Sequence, residues 1–164
     1  MMIAMIRTDS CVGVATILGL LAAVFCVPDS RAYADDLQDA IKKDRKAIAG
    51  TWQVVELEID GNPAKPEDAK RLLVFNGDDG TWTLTVDGKE VSKGTSTIDP
   101  TKSPKQLDFT PSTGDTRGTL FLGIYELGEK SRKMCFSPQG KPRPKEFVSK
   151  SGTGDILVKL DRVK

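Results

Sequence analysis

From Thr51 onward the chain alternates apolar and polar residues with a period of two, which predicts β-strands. The clearest case is Trp82, Leu84 and Val86, which alternate with three threonines. Asp87-Gly88 follows directly and is the residue pair of a type I′ turn, so a hairpin is predicted there. In all, eight strands are predicted, at residues 51–59, 72–75, 81–86, 90–98, 106–110, 118–127, 133–137 and 155–161.

Most connections between these strands are short, which favours an antiparallel meander. Two are longer, residues 60–70 and 138–154, and both contain prolines. A meander of eight strands most simply removes its exposed edges by closing on itself. The sequence therefore predicts an all-β fold, an eight-stranded up-and-down antiparallel barrel over residues 50–164. An immunoglobulin-like sandwich is the alternative, although it needs longer crossovers than this chain offers.

The first strand carries a testable prediction about faces. Val55, Leu57 and Ile59 alternate with Glu56 and Glu58. The apolar set is expected to face the interior and the two glutamates the solvent. Only if both carboxylates lay inside the barrel would acid–base chemistry by this pair become conceivable.

Residues 35–49 change to a helical period. Leu37, Ala40, Ile41 and Ile48 recur at helical spacing, and Gly50 provides a natural end. This pattern predicts an N-terminal helix that packs against the barrel. A basic amphipathic helix lying on a membrane surface is the alternative, but the apolar stripe is narrow and lacks aromatic residues.

The residues before position 35 are typical of a removable export signal. An uncharged apolar run extends from Val12 to Val27, and Ala32-Tyr33-Ala34 matches the pattern read by signal peptidase. A retained anchor is the alternative, although the run falls short of the roughly 20 residues that a spanning helix prefers. We therefore predict a signal peptide at 1–34, a domain at 35–164, export to the periplasm or outside, and no stable membrane anchor after cleavage.

The composition excludes several kinds of chemistry. Histidine is absent, which rules out Ser-His-Asp and Cys-His nucleophiles and histidine metal sites. Cys135 is the one cysteine of residues 35–164, so neither an internal disulfide nor a cysteine metal cluster is expected, and its apolar neighbours predict a buried thiol. Asp78-Asp79 is interpreted as a solvated turn rather than a calcium loop. Charges nearly balance, so no nucleic-acid partner is expected. The prediction is a protein without catalytic residues, cofactor or metal.

Gly50-x-Trp52 at the start of the first strand, with the preceding helix and the eight-strand meander, resembles the lipocalin architecture. In that family the tryptophan closes one end of the barrel and an arginine near the end of the last strand covers it. Arg162 holds that position here, so the resemblance implies a cation–π stack of Trp52 with Arg162. Gly50, Trp52 and Arg162 are thus the expected barrel-closing residues.

A set of short motifs extends over most of the domain: Gly50-Thr51-Trp52, Leu57-Glu58-Ile59-Asp60-Gly61, Asp99-Pro100-Thr101-Lys102, Gly123-Ile124-Tyr125-Glu126-Leu127, Cys135-Phe136-Ser137-Pro138, Lys141-Pro142-Arg143-Pro144 and Phe147. Together they resemble one family more closely, the exported lipocalin-like domains of unknown function that are abundant in planctomycete bacteria. The resemblance implies a fold and an envelope location but no activity. Two features depart from true lipocalins: no helix follows the last strand, and no Thr-Asp-Tyr motif lies between the sixth and seventh strands.

Two functions remain open from the sequence. The first is binding of a small apolar or amphipathic molecule inside the barrel. The second is a non-enzymatic module with a filled barrel that contacts an envelope protein. The volume of the interior discriminates between them, and the oligomeric state stays open. Candidate cavity-lining residues are Phe75, Trp82, Leu84, Phe109, Tyr125, Met134 and Phe136, and the candidate partner loop carries Lys141, Arg143 and Lys145.

Overall fold

The computed structural model describes residues 30–164, with side chains from Ala34 onward. Residues 1–29, which hold most of the predicted signal peptide and its apolar run, lie outside the described part. The elements are two helices, α1 (Ser30–Ile48) and α2 (Pro66–Ala69), and nine strands: β1 (Gly50–Ile59), β2 (Asn62–Pro63), β3 (Leu72–Asn76), β4 (Thr81–Val86), β5 (Lys89–Asp99), β6 (Lys105–Pro111), β7 (Phe121–Leu127), β8 (Ser131–Phe136) and β9 (Ile156–Arg162).

The strands form one antiparallel sheet that closes into a barrel. β1 and β3 to β9 follow one another around the sheet, and β9 pairs back onto β1. The closing ladder runs from Trp52 opposite Arg162 to Ile59 opposite Ile156. The two-residue β2 only extends the edge of β1. The predicted eight-stranded up-and-down barrel with a preceding helix is therefore confirmed. Pairing β1 with β9 leaves no open edge among the eight strands.

Helix α1 lies against one end of the barrel, here called the closed end. It begins at Ser30 rather than at the predicted residue 35, so the predicted cleavage point after Ala34 falls within it. Leu37, Ala40, Ile41 and Ile48 are all at least partly buried, as their spacing predicted. In residues 30–164, no helix combines the length and apolar character needed to cross a membrane.

A β-bulge in β1 changes which residues face the interior. Register with β9 shifts between Val54 and Glu56, which leaves Val55 as the extra residue. Val54 faces the cavity in its place, and Leu57 resumes the inward face beyond the bulge. The predicted inward position of Val55 is therefore wrong. Glu56 is exposed and forms an ion pair with Lys159, as expected for an outward residue.

Several boundaries differ from the sequence prediction. β7 begins at Phe121 rather than at residue 118, and β8 begins at Ser131 rather than at 133. The connection at 60–70, predicted as a loop, contains β2 and the single turn α2, whose Ala69 joins the core. The hairpin at Asp87-Gly88 has positive φ at both residues, which confirms the type I′ turn.

Aromatic side chains fill part of the barrel interior. Phe109 stacks on Phe121 at 4.7 Å between ring centroids and meets the rings of Trp82 and Phe136 edge-on. Glycine on the neighbouring strand makes room for these rings, since a Cβ at Gly123 would lie 2.3 Å from a ring carbon of Phe136. We call these four rings the aromatic cluster. The rest of the barrel interior lies beside them.

Outside the barrel, the long connection between β8 and β9 covers β7 and β8. Cys135 is fully buried there and its thiol lies 3.5 Å from the carbonyl oxygen of Val148. Burial raises the pKa of the Cys135 thiol. The prediction of a buried thiol is confirmed, and at neutral pH this cysteine is protonated.

Candidate functional site

The barrel contains a cavity of about 300 Å³ beside the aromatic cluster. Its walls come from α1 and from strands on most of the barrel circumference. It extends from Ile48 at the closed end to Ile59 at the other end of β1, where the side chain is 46% exposed. The cavity therefore has a mouth opposite α1. Its apolar lining is Ile48, Val54, Leu57, Ile59, Leu72, Val74, Trp82, Leu84, Leu107, Phe109, Met134, Phe136, Ile156 and Val158, and its polar lining is Asn76, Ser96 and Arg132.

Trp52 closes the end of the barrel beneath α1. Its side chain is 1% exposed, and its indole Nε1 donates a hydrogen bond of 2.7 Å to the carbonyl of Ile48, the last residue of α1. The Arg162 guanidinium lies 4.3 Å from the indole centroid, which is the stack that the resemblance implied. Gly50 has a φ of 115°, a value that favours glycine. The three expected barrel-closing residues thus meet at one place.

Arg162 also binds the helix. Its guanidinium donates hydrogen bonds to the carbonyls of Ala47 and Ala49. The last carbonyls of a helix lack partners within the helix and carry partial negative charge. Trp52 and Arg162 supply those partners and hold α1 against the barrel.

A second arginine, Arg132, reaches the same indole from β8. Its side chain is 3% exposed, and the guanidinium lies 4.9 Å from the Trp52 centroid. Among the described residues no carboxylate forms an ion pair with it. Burial, and then the neighbouring charge of Arg162, lower the pKa of Arg132 to about 9. Keeping a buried guanidinium charged without a negative partner costs free energy, so an anion bound beside Arg132 would stabilise it.

Asn76 accompanies Arg132 at the closed end of the cavity. The Arg132 Nη1 donates to the Asn76 Oδ1 at 3.4 Å, a long hydrogen bond. Arg132 Nε and Asn76 Nδ2 have no acceptor within residues 30–164, and both atoms are buried. Two N–H donor groups are thus left without partners in one corner of the cavity wall.

An ion pair between Asp44 of α1 and Lys105 of β6 also joins the helix to the barrel. Asp44 is buried; its Oδ2 lies 2.6 Å from Lys105 Nζ and accepts a 2.7 Å hydrogen bond from the Tyr125 hydroxyl. Burial and the bond to Asp44 raise the pKa of Tyr125 well above its usual range. Nearby, the guanidinium of Arg45 donates to both the hydroxyl and the carbonyl of Ser96 on β5. These contacts hold α1 in place as a plug.

Five of the seven predicted cavity residues do line the cavity, namely Trp82, Leu84, Phe109, Met134 and Phe136. Phe75 does not, because Val74 and Asn76 face inward along β3 and Phe75 therefore faces outward, 53% exposed. Tyr125 is buried but lies under α1 rather than in the cavity wall. Both predictions were wrong. For Phe75 the reason is that β3 is apolar on both faces, so its pattern does not reveal which face is inside.

The predicted partner loop is divided by the fold. Lys141 and Lys145 are exposed, whereas Arg143 turns inward and forms a two-point ion pair with Asp108. Arg143 also donates a 2.6 Å hydrogen bond to the carbonyl of Gly123. Arg143 therefore anchors the connection to β6 and β7, and the basic cluster is not presented to solvent as a unit.

Arg132, Asn76 and Asp44 were missed as candidate residues. The predicted seventh strand begins at residue 133 and therefore leaves Arg132 outside it. Extending the predicted strand by one residue toward the N-terminus would place Arg132 in alternation with Met134 and Phe136 on the inward face. Asp44 could similarly have been recognised from its position in the apolar stripe of α1. A charge in register with an apolar face is the signal in both cases.

Across residues 30–164, no cluster of three or more candidate metal-ligating side chains occurs. What the cavity offers is an apolar chamber with a mouth at one end and hydrogen-bond donors at the other. No protein-family model, curated protein or solved structure matches this chain in the comparisons made.

Proposed function

We propose that this protein binds a small apolar or amphipathic molecule inside its barrel, as an exported, non-enzymatic carrier or receptor. The observation that carries the proposal is the cavity of about 300 Å³, lined by apolar side chains apart from three polar residues. Ligand sites are concave, mostly apolar and carry a few convergent polar groups. Packed protein interiors contain few voids larger than a water molecule, so an interior space of this size is unusual for a structural core.

The volume sets the size of the ligand. A water molecule accounts for about 30 Å³ of liquid, so about 300 Å³ corresponds to about ten non-hydrogen atoms. This is the low end of the range for ligand pockets. The aromatic cluster limits the space on one side. A straight chain of about eight carbons suits the cavity better than a polycyclic molecule.

The alternative is a filled barrel that serves as an interaction module for an envelope protein. The aromatic cluster favours it, because four rings already occupy part of the interior. The space left beside these rings favours the binding function instead. Export and the resemblance to the planctomycete family are compatible with both and remain predictions.

Titration calorimetry with 1-octanol tests the binding function. Burying about eight carbon groups at about 0.8 kcal/mol each gives about 6 kcal/mol, so the tightest Kd is on the order of 0.05 mM, and the costs of association shift it toward the millimolar range. We expect one site per chain. Val158→Phe, which adds volume to the cavity wall, should weaken binding at least tenfold.

Val163→Phe is the matched control, because Val163 is exposed beyond the end of β9 and does not line the cavity. It should leave binding unchanged. If no straight-chain probe of this length binds, or if Val158→Phe and Val163→Phe affect binding alike, the interior is not a binding site. The interaction module would then be the better proposal.

A further inference from the structure

Two N–H donors at the closed end of the cavity lack acceptors, and they belong to neighbouring side chains. Arg132 Nε and Asn76 Nδ2 are both unpaired within residues 30–164. The Asn76 amide is oriented with its oxygen toward Arg132, so the acceptor for its nitrogen must lie elsewhere. Exchanging the amide oxygen and nitrogen would direct two donors at each other. Both side chains contribute to the lining of the cavity, so the cavity is the route by which a ligand's acceptor would reach them.

The missing partner must also be negative. Arg132 and Arg162 place two guanidinium groups around one indole. Arg162 is compensated by the carbonyls at the end of α1. Arg132 has only the indole face and one long hydrogen bond. A buried guanidinium without an anion is costly, and removing that cost requires a charge rather than another dipole.

The chemistry of the guanidinium defines the headgroup. Its N–H donors form a planar fork that matches the two oxygens of a carboxylate. The apolar walls between Arg132 and the mouth at Ile59 require a hydrocarbon tail. Folding has already removed water from Arg132, so the ligand has only its own carboxylate to desolvate.

Resting on the binding function above, we propose that the ligand is a monocarboxylate with an unbranched tail of about eight carbons, bound head-inward with its carboxylate on Arg132 and Asn76. The carboxylate accepts hydrogen bonds from the guanidinium and from the Asn76 amide nitrogen. Because both donor atoms are buried, both side chains must turn for their donors to reach the carboxylate. The tail lies along Leu57, Val74 and Val158 and ends near Ile59.

The test compares three straight-chain probes that each have eight carbon atoms: octanoate, 1-octanol and octylammonium. On the full domain at neutral pH, octanoate should bind about 10- to 100-fold more tightly than 1-octanol, as expected for charge-assisted hydrogen bonds. Octylammonium should bind least. Arg132→Met should remove the preference for octanoate while retaining 1-octanol binding, and Arg132→Lys should keep part of the preference.

Arg117→Met is the matched control, since it removes the same charge from an exposed loop. It should leave all three affinities unchanged. A second measurement needs no variant: the ¹⁵Nε–¹Hε resonance of Arg132 should shift further on adding octanoate than on adding 1-octanol, whose hydroxyl is a weaker acceptor. Equal shifts would contradict the carboxylate assignment. This readout reports the unpaired donor directly.

The outcomes separate the two proposals. If 1-octanol binds and octanoate binds no more tightly, the cavity is a ligand site but the carboxylate assignment is wrong. A preference for octanoate that survives Arg132→Met would overturn it too, because the selectivity would then come from elsewhere. If none of the probes binds, the binding function itself fails.

Discussion

Replacing Trp52 by phenylalanine tests how the closed end of the barrel is held together. The change keeps an aromatic face for the guanidinium of Arg162 but removes the indole N–H. The carbonyl of Ile48 then loses its 2.7 Å partner in a place where both residues are almost fully buried. Leaving a buried acceptor unsatisfied costs about 1–3 kcal/mol. The smaller ring also leaves a void, which adds about 1 kcal/mol.

The expected loss is therefore about 2–4 kcal/mol in the free energy of unfolding, a large share of the roughly 5–15 kcal/mol typical of a domain. Urea denaturation followed by far-UV circular dichroism measures it. The midpoint should fall while the slope of the free energy against urea stays constant, because the fold is retained. At roughly 3 °C per kcal/mol, the Tm should fall by about 6–12 °C.

Trp82→Phe is the matched control because it makes the same chemical change at the other tryptophan. Its indole N–H donates to the carbonyl of Thr95 at 3.1 Å, but this bond is exposed to solvent, so water can replace it. The expected loss is about 1 kcal/mol or less from the hydrogen bond. If Trp52→Phe cost no more than Trp82→Phe, the proposed role of the Trp52 hydrogen bond in holding α1 would be refuted.

Three further predictions concern stability. Gly94→Ala places a Cβ 2.1 Å from the carbonyl oxygen of Thr110, so the strands must move apart and urea denaturation should show a loss of at least about 1–3 kcal/mol; a neutral result would mean that this strand pair is not tightly packed. Asp44→Asn keeps an acceptor for Tyr125 but loses the charge, and should lower the unfolding free energy by about 1–3 kcal/mol; an unchanged midpoint would contradict a role for this charge. The pKa of Arg132 is about 9 in the folded protein, below the ordinary arginine value. Above pH 9 the folded state thus binds fewer protons than the unfolded chain, and the stability of the wild type relative to Arg132→Met should rise with pH from that point; a flat difference in urea titrations between pH 7 and pH 10.5 would contradict it.

The sequence was sufficient for the architecture because the relevant signals are local. Period-two alternation and short apolar runs such as that of β3 located all eight barrel strands, and Asp87-Gly88 correctly predicted the type I′ hairpin. The short connections then required neighbouring strands to pair in order. The position of Trp52 relative to the last strand led to its contact with Arg162, through a resemblance rather than through the pattern.

The binding site depended on details that alternation does not report. A bulge of one residue moved Val55 off the inward face, since inserting one residue reverses the side-chain direction. Phe75 sits on a strand that is apolar on both faces, so only the closed barrel shows that it lies outside. Arg143 lies in a basic stretch of sequence, and only the tertiary structure shows that it turns inward to pair with Asp108.

By itself, the sequence determined a closed barrel with a helix before it, because strand order and turn chemistry are encoded in residues close together along the chain. Tertiary structure alone decided that space remains inside this barrel and that Arg132 and Asn76 meet at its closed end. The physical reason is that an interior volume is what remains after side chains from eight strands have packed together. A missing hydrogen-bond partner likewise becomes apparent only when residues 56 positions apart lie side by side.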